Sequence, residues 1–183
     1  MSTQLVNKTI HAFQNHFGSN PAHIILSPGR INIIGEHIDY NNGYVLPAAI
    51  DKYICFAISP LKEGEDSQFY AVDLDDQYIV NHAHELQPLK EEHTWANYLL
   101  GVLSQLQIRG KKTSPVKVAF ASSIPIGAGL SSSAALECGF AFALNEIDHL
   151  GLSRKDIALI GQKSEHTFAG VNCGIMDQFA SVF

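Results

Sequence analysis

Three stretches of this sequence carry residue types able to handle phosphate and sugar hydroxyls. The first is Pro125-Ile-Gly127-Ala128-Gly129-Leu130-Ser131-Ser132-Ser133-Ala134, nearly free of side-chain bulk. Small residues let backbone N–H groups approach an anion, and a helix starting there adds its unpaired first-turn amides and dipole. Three serines add hydroxyls for phosphate oxygens or a magnesium ion. No lysine follows the glycines, so this is not a Walker A loop, and the third glycine of a dinucleotide fingerprint is missing. The glycines alone fit a ligand-free helix cap equally well.

The second stretch, Gly29-Arg30-Ile-Asn-Ile-Ile-Gly35-Glu36-His37-Ile38-Asp39-Tyr40-Asn-Asn-Gly43, sets Arg, Glu, His and Asp on an apolar frame. Carboxylates accept adjacent hydroxyls in pairs, and an unpaired hydroxyl in a closed site is costly, so this set suits sugar recognition. The third runs from Gln162 through Glu165 and Gly174 to Asp177-Gln178. Glu165 alone reads as a solvated helix face. Asp177 lies among Ile175, Met176 and Phe179, and a carboxylate in apolar company needs a partner, for which Arg30 is the candidate.

The first stretch resembles the ATP-binding motif of the GHMP kinases, and the second resembles the galactokinase signature within that superfamily. The resemblance implies that Gly127, Ala128, Gly129, Leu130, Ser131, Ser132 and Ser133 bind ATP. It implies that Glu36, His37, Ile38, Asp39 and Gly174 contact a hexose. Asp177 becomes the base, or the electrostatic partner, for an attacking C1 hydroxyl, with Arg30 beside the transferring phosphate. Ser133 and Glu165 would hold Mg²⁺, both being hard oxygen ligands. The implied reaction is ATP-dependent phosphorylation of galactose. A galactose and ATP sensor that binds a regulatory partner is the rival of another class, and the intact Ser131–Ala135 run favours the enzyme. A sister kinase acting on N-acetylgalactosamine or arabinose is the second rival.

Further from the site, Met1–Phe17 reads as an amphipathic helix and not a signal peptide. Apolar runs at 23–27 and 31–34 bracket Pro28-Gly29. Strands are expected over 52–59, 68–72, 78–80 and 116–121, with a hairpin turn at 62–66. Helical spacing of Trp95, Leu99, Val102, Leu103 and Leu106 predicts a helix over 94–108 that Gly110 ends. Further helices follow the Gly/Ser loop, run from a Ser153 cap to about Phe168, and close the chain. Strands and helices mix without strict βαβ alternation. The expected class is α+β, a mixed sheet with helices packed on one face. The resemblance makes this the GHMP kinase N-terminal domain, similar to ribosomal protein S5 domain 2, with a left-handed crossover.

Composition narrows the rest. With 46% hydrophobic and 16% charged residues and a net charge of −6, the chain is expected to form one globular domain over 1–183. It has no basic surface for nucleic acid and no membrane span. Cys55, Cys138 and Cys173 have no CxxC spacing and read as reduced thiols of a cytosolic protein. His82, His84 and His93 read as surface histidines, and Trp95 and Tyr98 as structural. Members of the resembled family are much longer. A C-terminal half, with another Gly-rich loop, is therefore expected as the packing partner, and these 183 residues alone are expected to show little kinase activity.

Overall fold

The computed structural model describes residues 2–35, 38–41, 43–81, 85–125 and 127–183. Five strands form one sheet: β1 (His23–Ile34), β2 (Leu46–Pro60), β3 (Ser67–Ala71), β4 (Asp76–Val80) and β5 (Val116–Ser122). Their spatial order is β1-β2-β5-β3-β4, antiparallel except where β3 runs parallel to β5. The mixed sheet matches the expected class. The expected hairpin at 62–66 does not form, because β5 inserts between β2 and β3. The true hairpin is β3–β4, turning through Asp75 at φ 49°.

Strand alternation sorts the two faces. Ile54, Phe56, Ile58, Val116, Val118 and Phe69 point into the main core. That core is shared with α2 (Asn97–Ile108), α3 (Ser132–Asp148) and α4 (Arg154–Ser164). Cys55, Ala57, Ala119 and Ala121 point the other way, where α1 (Ser2–Phe17) covers them with Leu5 and Phe13. Helices therefore occupy both faces, which corrects the one-face expectation. An amphipathic stripe requires burial but does not choose the side.

Two irregularities matter for the site. β1 is one strand whose register shifts between Pro28 and Arg30, where proline has no N–H for the ladder. The bulge leaves Gly29 and Arg30 both buried, so Arg30 turns inward instead of alternating out. The helix expected to run from Ser153 to Phe168 keeps its cap, since Ser153 and Asp156 form a reciprocal capping box. It gives way at Ser164 to a π-helical turn, Glu165–Ala169, that ends at Gly170 with φ 74°. The wider turn carries Glu165 into the interior. A last helix, α5 (Met176–Val182), packs on β1, β2, α3 and α4.

Candidate active site

Asp177 sits on the first turn of α5, and its carboxylate is gripped from two distant parts of the chain. Arg30 donates Nε to Oδ1 and a terminal nitrogen to Oδ2, each at 2.7 Å. The second guanidinium nitrogen donates to the Gly129 carbonyl at 2.6 Å, and the Ser131 hydroxyl donates to Asp177 Oδ2 at 2.5 Å. A planar fork matching a carboxylate fixes direction as well as distance. The bulged segment of β1 also docks on the Gly/Ser loop: Arg30 N donates to Leu130 O at 3.1 Å.

That loop is built from left-handed residues. Gly127 (φ 73°), Gly129 (φ 68°) and Ser131 (φ 54°) alternate with residues of ordinary φ. Such alternation aims successive N–H groups into a concavity that suits anions. Ser131 is the N-cap of α3, yet its side chain makes no bond to the helix amides, because the hydroxyl is committed to Asp177. A strained non-glycine residue at this junction is a signal that sequence spacing does not carry.

The sugar loop meets α5 through Asp39. Its Oδ2 accepts from Met176 N at 3.2 Å. Gly174 packs so closely on the Asp39 carboxylate that a Cβ there would overlap it. Ile38 closes its own turn instead: its carbonyl accepts from Asn41 N and Gly43 N, and its side chain abuts Gly43. Glu36 and His37 lie outside the described residues, as do His82 and His84.

Glu165 is buried, with Oε2 accepting from Gln178 Nε2 at 2.8 Å and from the Cys173 thiol at 3.4 Å. Burial and the Glu165 charge push the Cys173 thiol up to about 12. Burial and the same charge also hold the fully buried Glu137 well above the usual carboxylate range. Among the described residues no cluster of three or more His, Cys, Asp or Glu forms a metal cage. A magnesium ion bound by one hydroxyl and one carboxylate, with phosphates and water completing its shell, needs no such cage. The oxygens of Ser133 and Glu165 fit that demand in type.

One feature went unread in the sequence. Beside the first turn of α3 lies a cavity of about 280 Å³ lined by Trp95, Tyr98, Phe120, Leu74, Ser132 and Ser133, among others. Burial, then the Glu165 and Glu137 charges, raise the Tyr98 phenol, so Glu165 acts on this wall. In sequence Trp95 and Tyr98 read as structural only, and both do pack against the main core. Their outer faces also line a mostly apolar recess next to an anion-suited loop.

Comparison with known proteins agrees with this arrangement. Residues 11–60 match the galactokinase galactose-binding signature, and residues 97–183 match the GHMP kinases N terminal domain. Over these two stretches the chain is similar to the N-terminal part of a galactokinase. A galactokinase of Thermosipho africanus is 48% identical over 159 residues, covering 87% of this chain and 43% of that relative. One from Roseiflexus is 42% identical over 171 residues, covering 93% and 43%. The galactokinase of Lactococcus lactis, solved in complex with galactose, superposes with a TM-score of 0.81 at 32% identity, covering 93% of this chain and 44% of that one. The Methanococcus jannaschii mevalonate kinase, at 23% identity and a TM-score of 0.73, shares the fold. The chain thus spans less than half the length of the curated relatives it matches.

Proposed function

We propose that this chain supplies the sugar site and the nucleotide site of a cytoplasmic galactokinase, which transfers the γ-phosphoryl group of Mg·ATP to the C1 hydroxyl of galactose. The observation that carries the reading is the Arg30–Asp177 clamp, formed where the phosphate loop, the bulge of β1 and the sugar loop meet α5. Phosphoryl transfer asks a protein mainly for positioning and charge neutralisation, and this junction offers both.

Asp39 accepts hydroxyls of the hexose, together with Glu36 and His37. The Gly174 backbone closes against the ring. Asp177 accepts the hydrogen bond of the attacking C1 hydroxyl and aligns its lone pair with the phosphorus, its own orientation fixed by Arg30 and Ser131. The Arg30 cation offsets charge that develops on the transferring oxygens. The amides of 127–133 receive the phosphates, and the purine base enters the recess between Trp95 and Leu136. Ser133 and Glu165 would hold Mg²⁺, which when bound neutralises phosphate charge. The 183 residues act as one domain that packs against the C-terminal half of the kinase. Alone they have little activity, and measurable turnover by the purified chain in a coupled ADP assay contradicts that part.

The decisive experiment is Asp177→Ala in a galactokinase-length enzyme containing this segment. The expected outcome is a fall in kcat of about 10²–10⁴-fold with galactose KM nearly unchanged, since the lost contact matters most in the transition state. Turnover close to wild type removes Asp177 from the mechanism.

A further inference from the structure

Two of the segments that wall the recess beside the phosphate loop are joined to each other by no backbone ladder. Asp73 and Leu74 come from the tip of the β3–β4 hairpin, while Trp95 comes from the turn before α2 and Tyr98 from the first turn of α2 itself. One carboxylate bridges them. Asp76, the first residue of β4, receives the Trp95 indole N–H on Oδ2 at 2.7 Å, and His93 Nδ1 lies 2.8 Å from the same oxygen. An indole N–H can only donate, so the direction of the first bond is fixed.

Neither Asp76 nor His93 lines the recess, so whatever they do there they do through Trp95. The indole packs at 5.6 Å on Phe120, another wall residue. Apolar packing alone tolerates more than one ring orientation, whereas a bonded N–H selects one. His93 itself adopts a left-handed backbone (φ 54°, ψ 26°), uncommon for a non-glycine, and its carbonyl closes the turn by accepting from Ala96 N at 2.8 Å. The turn is thus held in an uncommon conformation that brings both ring donors to one acceptor. Bonds from Trp95 and His93 keep the Asp76 carboxyl below its usual range, so it is charged at neutral pH.

We propose that Asp76 is a positioning residue for nucleotide binding: it clasps Trp95 across the seam between hairpin and turn and so sets the aromatic face offered to the purine base. This rests on the reading of the recess as the base site.

Trp95 is the sole tryptophan, so its emission reports the recess directly. The 183-residue chain is titrated with Mg·ADP, followed by fluorescence and by calorimetry. Asp76→Ala should weaken Mg·ADP about fivefold to tenfold, whereas Asp76→Asn, which keeps an acceptor oxygen, should cost about twofold or less. In the Trp95→Phe background, where the indole donor is gone, Asp76→Ala should add less than about twofold. Wild-type affinity in Asp76→Ala, or an equal loss in both backgrounds, overturns the clasp while leaving the base site standing. If Asp76→Ala melts below the assay temperature, Trp95→Phe decides, since it removes the same bond from the other side: an unchanged affinity overturns the clasp. Absence of any wild-type response in both emission and heat refutes the base site, and the clasp with it.

Discussion

Gly174→Ala tests whether the sugar loop and α5 form one unit. Gly174 has no left-handed φ, so alanine meets no backbone penalty there. The obstacle is spatial, and it has one source: the three nearest neighbours of the added Cβ are Oδ2, Cγ and Oδ1 of Asp39. Asp39 must leave its place, giving up its bond to Met176 N, because the overlap is too deep for a shift of a few tenths of an ångström. Forced overpacking costs about 1–3 kcal/mol, and a charge-assisted bond falls in a similar range. A loss of about 2 kcal/mol lowers Tm by about 4–8 °C in a chain of this size. Thermal melts by circular dichroism measure it. The control is Asp39→Ala, which removes the obstructing carboxylate. In that background Gly174→Ala should cost less than about 0.5 kcal/mol, the coupling expected of residues in direct contact. A wild-type melt for Gly174→Ala, or an undiminished loss in the Asp39→Ala background, refutes the juxtaposition of two segments 135 residues apart.

Arg30→Met should lower stability by about 2–3 kcal/mol in urea unfolding, below the full cost of stranding a buried charge because the Asp177 side chain is a quarter exposed. Lys112→Ala, whose partner Glu63 is as exposed as itself, should leave the urea midpoint unchanged. Burial raises the thiols of Cys55 and Cys138 above 9.0, so the unfolded chain releases those protons first. Stability is complete below about pH 9 and falls above it, by about 1.4 kcal/mol per pH unit for each thiol, and Cys138→Ala should remove one such share from the measured slope.

The elements of the site were legible where chemistry leaves a local mark. A Gly/Ser run ahead of a helix, a dense polar loop on an apolar frame, and a carboxylate among Ile175, Met176 and Phe179 each carry their reason in a few residues. The pairing of Arg30 with Asp177 followed from one rule about charges in apolar company. Sheet order was not legible. The signal at 62–66 says that the chain turns, but not which strand will lie beside it, and β5 arrives later to take the place β3 was expected to fill. The break at Ser164 was hidden because Phe168, beyond it, still falls at helical spacing from Ile157 and Ile160. Trp95 satisfies helical spacing whether its outer face meets another helix or a recess, so periodicity could not separate wall from core.

The late arrival of β5 also has a consequence for biosynthesis. As the nascent chain leaves the ribosome, β1 and β2 can zip together, and so can β3 and β4, leaving two hairpins with open flanks. Only Val116–Ser122 joins them, pairing antiparallel with β2 on one side and parallel with β3 on the other. Until that stretch emerges, the apolar undersides of both hairpins and all of α2 lack their common floor, an interval in which holding chaperones have most to protect.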